Sequence, residues 1–377
     1  MKILFTGGGT GGHVLPLVAT TRELRRIYPK NDLDIFYMGP KDDFGAILLS
    51  QEGIKIKTVL AGKIRRYFDF KSFLKNLLDL FIKIPAGIIL AFFKVFFLGP
   101  DMIFSKGGYG SLPVVLAGRL LWIPVFLHES DVKPGLANKF LSFFARKIFV
   151  SFPKTSFFPP KKMILTGNPI RRELLEGTKE EARQLFGINP PAGGEKPVIL
   201  ILGGSQGAQR INDKILEILP QLLRDFEIIH QIGEKNAGQI KAESKVVVSK
   251  DLEISYHPIP FLKEEVLKQA YAICDLIVSR AGAGSIFEIA ALGKPSILVP
   301  LPEAAQNHQV ENAYAYGQKG AAVILEEPNF TPNFFLEKLK FIFSNPKELE
   351  KMSQAAKEFA KPEAAKTIAE YIIGQKL

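Results

Sequence analysis

Short apolar runs alternate with longer stretches in which apolar residues recur every three to four positions, and this alternation predicts strands and helices in turn. One unit occurs twice: an apolar strand, a glycine-rich turn, then a helix. Its first copy is Lys2 to Thr6, Gly7-Gly8-Gly9-Thr10-Gly11-Gly12 and a helix from about His13 to Tyr28. Its second is Pro197 to Leu202, Gly203-Gly204-Ser205-Gln206-Gly207 and a helix from about Ala208 to Leu223. Further strands are predicted at Leu33 to Met38, Met102 to Ser105, Val125 to His128 and Lys147 to Val150, then at Glu227 to Gln231, Asp275 to Ser279 and Ser296 to Val299. This order predicts an α/β protein of two Rossmann-like, doubly wound domains. The turn Gly167-Asn168-Pro169-Ile170-Arg171 marks a boundary, dividing the chain into 1–170 and 171–346, with Asn189 to Gly194 as a loop entering the second domain. A last helix, about Lys347 to Gln375 within 347–377, is a candidate to pack back on the first domain.

One stretch departs from the alternation. Phe70, Phe73, Leu74, Leu77, Leu78 and Phe81 fall on one arc of a helix, with Lys71, Lys75, Asn76, Asp79 and Lys83 on the other. The phenylalanine-rich run Ile84 to Leu98 follows, interrupted at Lys83 and Lys94, so it is expected to fall short of the roughly 20 apolar residues of a membrane span. Both helices either pack on a sheet or lie on an anionic lipid surface.

The composition, 47% hydrophobic and 23% charged over 377 residues, is that of a folded globular chain and argues against disorder or coiled coil. The net charge of +11 is concentrated early. Lys55, Lys57, Lys63, Arg65, Arg66, Lys71, Lys75, Lys83 and Lys94 face only Asp69 and Asp79 between Lys55 and Lys94, which points to a membrane surface and an anionic substrate and not to nucleic acid. The lone Cys274 lies in an apolar run and allows no internal disulfide. The first residues lack the pattern of a secretory leader, so a cytoplasmic location is expected.

Glycines between a buried strand and a helix let backbone N–H groups approach an anion, and the helix start adds its positive dipole end. Gly7-x-Gly9-x-x-Gly12 also fits a dinucleotide fingerprint, but the strand Leu33 to Met38 ends on Gly39-Pro40 and not on a ribose-binding acid. A third turn, Arg280-Ala281-Gly282-Ala283-Gly284-Ser285, opens a helix carrying Glu288, a carboxylate placed either to accept ribose hydroxyls or to balance the helix dipole. His13 follows the first turn and is a candidate general base or phosphate donor. His128-Glu129-Ser130-Asp131 ends a strand at the edge where such folds place ligands, or is structural there. No Asp-x-Asp or other metal-ligand spacing occurs, so no metal or other cofactor is expected, and charge neutralisation falls to backbone N–H groups and Arg171.

Six motifs in register, Gly8 to His13, Gly107-Gly108-Tyr109, His128-Glu129, Gly167 to Arg171, Gly203 to Ala208 and Ser285 through Glu288 to Ala290, resemble the MurG family of glycosyltransferases. The resemblance implies the GT-B fold, two Rossmann-like domains facing across a cleft. It implies inverting transfer from UDP-N-acetylglucosamine to the 4-hydroxyl of the muramyl sugar of lipid I, at the cytoplasmic face of the inner membrane, with division or cell-wall machinery proteins as partners. By matching position, Arg171 and Ser205 contact donor phosphate or sugar, Phe261 and Leu262 hold uracil, Ala283, Gly284 and Ser285 back the phosphates, Glu288 binds ribose, and His308 and Gln309 reach sugar hydroxyls. Gly9, Thr10, Gly11, Gly12 and His13, with Tyr109 and His128, belong to the loops facing the acceptor diphosphate and the reacting centre, Thr10, Gly11 and Gly12 also touching the donor. The family often carries an asparagine where Asp131 stands, so the expected donor contact there falls on a carboxylate, which accepts hydrogen bonds but does not donate them. Rival readings are a UDP-N-acetylglucosamine 2-epimerase, another lipid-directed GT-B transferase such as a diacylglycerol glycosyltransferase, and a non-catalytic nucleotide-sugar binder.

Overall fold

The computed structural model describes residues 1–8, 11–29, 32–63, 70–153, 157–188, 196–204 and 207–375. The predicted loop Asn189 to Gly194 and the basic pair Arg65 and Arg66 lie outside them. The chain forms two compact units, residues 1–171 with 362–377, and residues 172–361.

The first unit runs β1 (Lys2–Thr6), α1 (Gly11–Ile27), β2 (Asp34–Gly39), α2 (Asp43–Gln51), β3 (Lys55–Thr58), α3 (Phe70–Leu78), α4 (Ile84–Leu98), β4 (Met102–Ser105), α5 (Leu112–Leu120), β5 (Val125–Glu129), α6 (Leu136–Leu141), β6 (Lys147–Val150) and β7 (Met163–Leu165). Its strands pair in parallel in the order β3-β2-β1-β4-β5-β6-β7, so the chain reverses its winding at β1 and β4. A parallel sheet is covered on both faces, and β1 shows the consequence. Ile3 and Phe5 enter one core with Val14 and Leu17 of α1, while Leu4 enters the other with Ala91 and Val95 of α4 and Val114 of α5.

The second unit runs α7 (Lys179–Phe186), β8 (Val198–Leu202), α8 (Gln209–Asp225), β9 (Glu227–Gln231), α9 (Ala237–Val247), α10 (Lys250–Glu253), β10 (Tyr256–Ile259), α11 (Glu264–Ile273), β11 (Leu276–Ser279), α12 (Ala283–Leu292), β12 (Ser296–Leu298), α13 (His308–Gly317), β13 (Ala322–Ile324), α14 (Pro332–Phe343) and α15 (Pro346–Phe359). The strand order β10-β9-β8-β11-β12-β13 reverses between β8 and β11 in the same way. Cys274 is fully buried after α11, and burial pushes its thiol up to about 12, so it acts as packing.

The expected single C-terminal helix is two. Pro362 cannot continue a helix, and α15 ends before it. Phe359 of α15 packs on Phe287 and Tyr316 in the second unit. The last helix, α16 (Ala364–Gly374), belongs to the first unit, where it lies on α1 and sets Tyr371 against Phe126 and Phe149.

The apolar arc of α3 does not pack on a sheet: Phe70 is 76% exposed and Phe81 69%, and Phe73, Leu74, Leu77 and Leu78 are exposed too. A π-helical turn, Asp79–Lys83, joins α3 to α4 without a break, and Lys83 is paired with Asp79 at 2.8 Å. The charge therefore does not end the helix, and residues 72–98 are long and apolar enough to cross a membrane by length and composition, contrary to the expectation from spacing. Its buried stripe Gly87, Ala91, Val95 and Leu98 instead fastens α4 along the first unit, leaving Phe93, Phe96 and Phe97 outward. Trp122, after α5, is 82% exposed as well.

Candidate functional site

In the first unit the predicted residues gather at the C-terminal ends of β1, β4 and β5. Helix α1 starts at Gly11 and Gly12, and His13 sits in its first turn, half-buried. Its ring lies over the opposing glycine turns: a Cβ added at Gly8 would come 3.1 Å from His13 Nδ1, and one at Gly108 3.2 Å from Nε2. Gly9 and Thr10 lie outside the described residues. Tyr109 opens a short 3-10 turn after β4, 37% exposed, with Lys63 Nζ 5.8 Å from its ring centre.

Gly107 is held at φ +85°, and a Cβ there would come 2.3 to 2.6 Å from the side-chain amide of Asn138, so only glycine fits. Asn138 Nδ2 donates to the carbonyl of His128 at 3.2 Å and to Glu129 Oε2 at 2.9 Å. His128 is fully buried and donates from Nε2 to the carbonyl of Gly167 at 3.2 Å. Burial first, and the charge of Lys106 second, hold its pKa well below the usual histidine range. It ties β5 to the Gly167 turn, and burial favours its neutral form.

Beside it lies a group that the sequence did not single out. Lys106, next after β4, is 3% exposed, and its Nζ donates to Ser130 Oγ. Ser130 Oγ in turn donates to Asn168 Oδ1 at 2.7 Å. Glu129 Oε1 accepts from the backbone N–H of Asp131 at 3.0 Å. Burial lowers the pKa of Lys106, opposed by Glu129 and Asp131, and burial and Asp131 raise that of Glu129. The only sequence signal was a lysine set immediately before two glycines. Arg171, 8% exposed, closes the first unit and not the second.

In the second unit, Gly204 and Gly207 of the turn after β8 have φ of +78° and +76°. Ser205 lies outside the described residues. Gln231, missed in the sequence, spans this turn and the next loop: Nε2 donates to the carbonyl of Gly204 at 2.8 Å, and Oε1 accepts from the N–H of Leu262 at 3.3 Å. It thereby fixes the Phe261-Leu262 segment beside the turn, Phe261 partly exposed and Leu262 buried. Gly282 caps α12 in an extended conformation, so the first N–H groups of Ala283, Gly284 and Ser285 have no carbonyl four residues back within the helix. Glu288 Oε2 accepts from the hydroxyl of Tyr271 at 2.9 Å.

His308 begins α13 and donates from Nδ1 to the carbonyl of Ala305 at 2.7 Å, while Gln309 Oε1 accepts from Leu301 N at 3.0 Å. Gln306 and Asn307 just before them both have φ +59°, a left-handed pair that non-glycine residues rarely adopt. Such backbone persists only where its surroundings fix it. Here Arg210 bonds Glu303 at 2.8 Å and Glu327 at 2.7 Å, and Glu327 also pairs with Arg280. That network ties the loop after β12 to the start of α8 and the end of β11.

Two doubly wound units, each with glycine turns at the C-terminal ends of its strands, are the two halves of a GT-B fold. Residues 3–150 match the glycosyltransferase family 28 N-terminal domain, and residues 198–368 the glycosyltransferase family 28 C-terminal domain. The chain is 38% identical over 373 residues to the UDP-N-acetylglucosamine--N-acetylmuramyl-(pentapeptide) pyrophosphoryl-undecaprenol N-acetylglucosamine transferase 3 of Bacillus thuringiensis (strain Al Hakam), covering 98% of this chain and 99% of that one. It is similar to the crystal structure of Acinetobacter baumannii MurG at 27% identity and a TM-score of 0.74, covering 100% and 99%. A UDP-N-acetylglucosamine 2-epimerase from Neisseria meningitidis shares the fold at 17% identity and a TM-score of 0.69, covering 99% and 100%. The chain belongs to glycosyltransferase family 28 and, within it, to the MurG group of N-acetylglucosamine transferases.

Proposed function

We propose that this chain transfers N-acetylglucosamine from UDP-N-acetylglucosamine, with inversion, to the 4-hydroxyl of the muramyl sugar of lipid I, making lipid II for peptidoglycan synthesis. The observation that carries the reading is the 38% identity to a transferase named for that reaction, which runs through both units and not through one. The epimerase likeness, at 17%, reaches the fold alone.

Charge decides the roles. The acceptor hydroxyl attacks C1 of the donor sugar and loses its proton to His13, while the C1–O bond pair leaves with UDP. The negative charge growing on the diphosphate is met by N–H groups of the 203–207 turn and of the α12 start, by Ser205 and by Arg171. Glu288 takes the ribose hydroxyls, Phe261 and Leu262 the uracil, and His308 and Gln309 the hydroxyls of the sugar. The acceptor diphosphate faces Gly9 to His13 and Tyr109, and Asp131 accepts from a sugar hydroxyl. With backbone dipoles in this part, donor binding needs no metal ion.

The exposed phenylalanines of α3 and α4 and the lysines around them support contact with an anionic membrane at its cytoplasmic face, where a lipid-linked acceptor is held. Proteins of cell-wall synthesis or division are the partners this placement suits. The deciding assay is UDP release from UDP-N-acetylglucosamine with and without a lipid I analogue, in EDTA. Release that depends on the acceptor and ignores the chelator supports the reading, whereas UDP or an epimerised sugar formed without acceptor overturns it.

A further inference from the structure

Two consecutive residues at the end of the loop after β12, Gln306 (φ +59°, ψ +21°) and Asn307 (φ +59°, ψ +26°), hold a left-handed backbone that only glycine adopts freely. They immediately precede His308 and Gln309 of α13, so this turn sets the direction in which those two side chains leave the loop. Within it, Ala304 N donates to the carbonyl of Leu301 at 3.2 Å, Asn307 N to that of Ala304 at 2.8 Å, and Leu301 N to Gln309 Oε1 at 3.0 Å. With Oε1 so engaged, Gln309 keeps its amide N–H groups for a sugar hydroxyl.

The loop is held from outside by Glu327, on the 3-10 turn after β13, whose side chain is only 10% exposed. One oxygen, Oε2, accepts from Arg210 Nη1 at 2.7 Å, and the other, Oε1, lies against Arg280 Nη2. Both arginines continue to the loop. Arg210 Nη1 reaches Glu303 Oε1 at 2.8 Å, and Arg280 Nη1 donates to the carbonyls of Val299 at 3.1 Å and Pro300 at 3.5 Å. Arg280 thus grips the loop at its start and Arg210 grips it midway, and one carboxylate orients both. Stability alone does not account for the arrangement. The side chains of Arg210 and Glu303 are 59% and 60% exposed, where an ion pair contributes little, and a buried carboxylate between guanidiniums is often no more stabilising than apolar packing of the same size.

We propose that Glu327 is a positioning residue for selection of the donor sugar: through Arg210 and Arg280 it holds residues 299–307 so that His308 and Gln309 meet the sugar hydroxyls in one geometry. The proposal rests on the transferase reading above, which gives those two residues that role. A hydroxyl of the wrong configuration is rejected only while its partners are fixed, because side chains free to follow it would re-form the hydrogen bonds.

The test compares acceptor-dependent UDP release from UDP-N-acetylglucosamine and from UDP-N-acetylgalactosamine, which differs in the configuration of one hydroxyl, for the full chain as wild type and as Glu327→Gln. This substitution keeps the shape and removes the charge. The expected result is a KM for UDP-N-acetylglucosamine raised about 10-fold and a ratio of kcat/KM between the two donors lowered about 10-fold. Inhibition by UDP, which lacks the sugar, stays within about two-fold of wild type. An unchanged ratio overturns the proposal, and so does a loss of UDP binding as large as that of UDP-N-acetylglucosamine, which would mark a general loosening of the unit. Should Glu327→Gln not fold, Glu303→Gln, at an exposed side chain, reads the same ratio: lowered supports, unchanged overturns. A wild type that releases no UDP with acceptor overturns the transferase reading and this inference with it. An active wild type that uses both sugars alike, or is matched by Glu327→Gln, overturns the inference alone.

Discussion

The hydroxyl of Tyr271, itself 1% exposed, donates to Glu288 Oε2 at 2.9 Å. Tyr271 lies on α11 and Glu288 on α12, so two helices hold one carboxylate in a fixed orientation, with Glu288 Oε2 already engaged. Tyr271→Phe keeps the ring and deletes the donor. A hydrogen bond to a charged group contributes about 1.5 to 3 kcal/mol, of which only the part that orients Glu288 reaches the donor. KM for UDP-N-acetylglucosamine is expected to rise about five-fold with kcat little changed. An unchanged KM would show that the carboxylate is oriented without the phenol.

His13 lies between the turns at Gly8 and Gly108 with no other histidine in the first unit available for proton transfer, since His128 is buried and neutral. A positioned general base contributes about 100-fold to 10,000-fold. His13→Ala is expected to lower kcat within that range while UDP still binds to the second unit. Near-normal turnover, measured by UDP release with acceptor, removes the base from the scheme.

The outward face of α3 and α4 predicts how the protein meets lipid. Replacing Lys71, Lys75 and Lys83 with glutamate is expected to weaken sedimentation with vesicles rich in anionic lipid, at about 1 kcal/mol for each charge near the surface. Phe93→Ser with Phe97→Ser is expected to weaken binding to neutral and anionic vesicles alike, because it removes apolar area and no charge. Binding unchanged in both sets would refute the membrane face.

His230 is fully buried, donating from Nε2 to Asn212 Oδ1 at 3.1 Å and accepting from the Tyr256 hydroxyl at 3.0 Å. Burial pushes its pKa down to about 3. The unfolded chain binds a proton there below about 6.5 and the folded chain does not, so stability falls as the pH drops from 6.5 toward 3. Between pH 7.5 and 5.5 urea unfolding should show the wild type losing about 1.4 kcal/mol more than His230→Gln. Equal losses would mean that the ring is charged in the fold.

Gly107→Ala places a methyl group on the Asn138 amide and on a backbone at φ +85°. About 3 kcal/mol or more of destabilisation is expected, read as a lowered melting temperature. Asn138→Ala in the same chain should recover the steric part and not the backbone part. If the double variant melts no higher than Gly107→Ala, the clash is not the cause.

Most of the strands and the three glycine turns were legible because they follow from local pattern: runs such as Val198–Leu202 are apolar throughout, as a strand buried on both faces must be, and glycine marks the turns that follow. Glu288 was legible as well, since one helical turn fixes its distance from Gly284. Lys106, Gln231 and Tyr271 were not. Each meets its partner across a long stretch of chain, Lys106 with Ser130, Gln231 with Gly204 and Tyr271 with Glu288, and no periodicity encodes which strand lies beside which.

The sequence by itself determined the fold class, the glycine turns and the family, because strand and helix periods, turn chemistry and ordered motifs are properties of neighbours along the chain. The tertiary structure alone decided that the arc of α3 faces outward, that Pro362 sends α16 back to the first unit, that His128 is neutral, and that Lys106 is buried among acids. Those outcomes depend on which surfaces are withdrawn from water, and burial is settled by packing across the sheet order and not by any single segment.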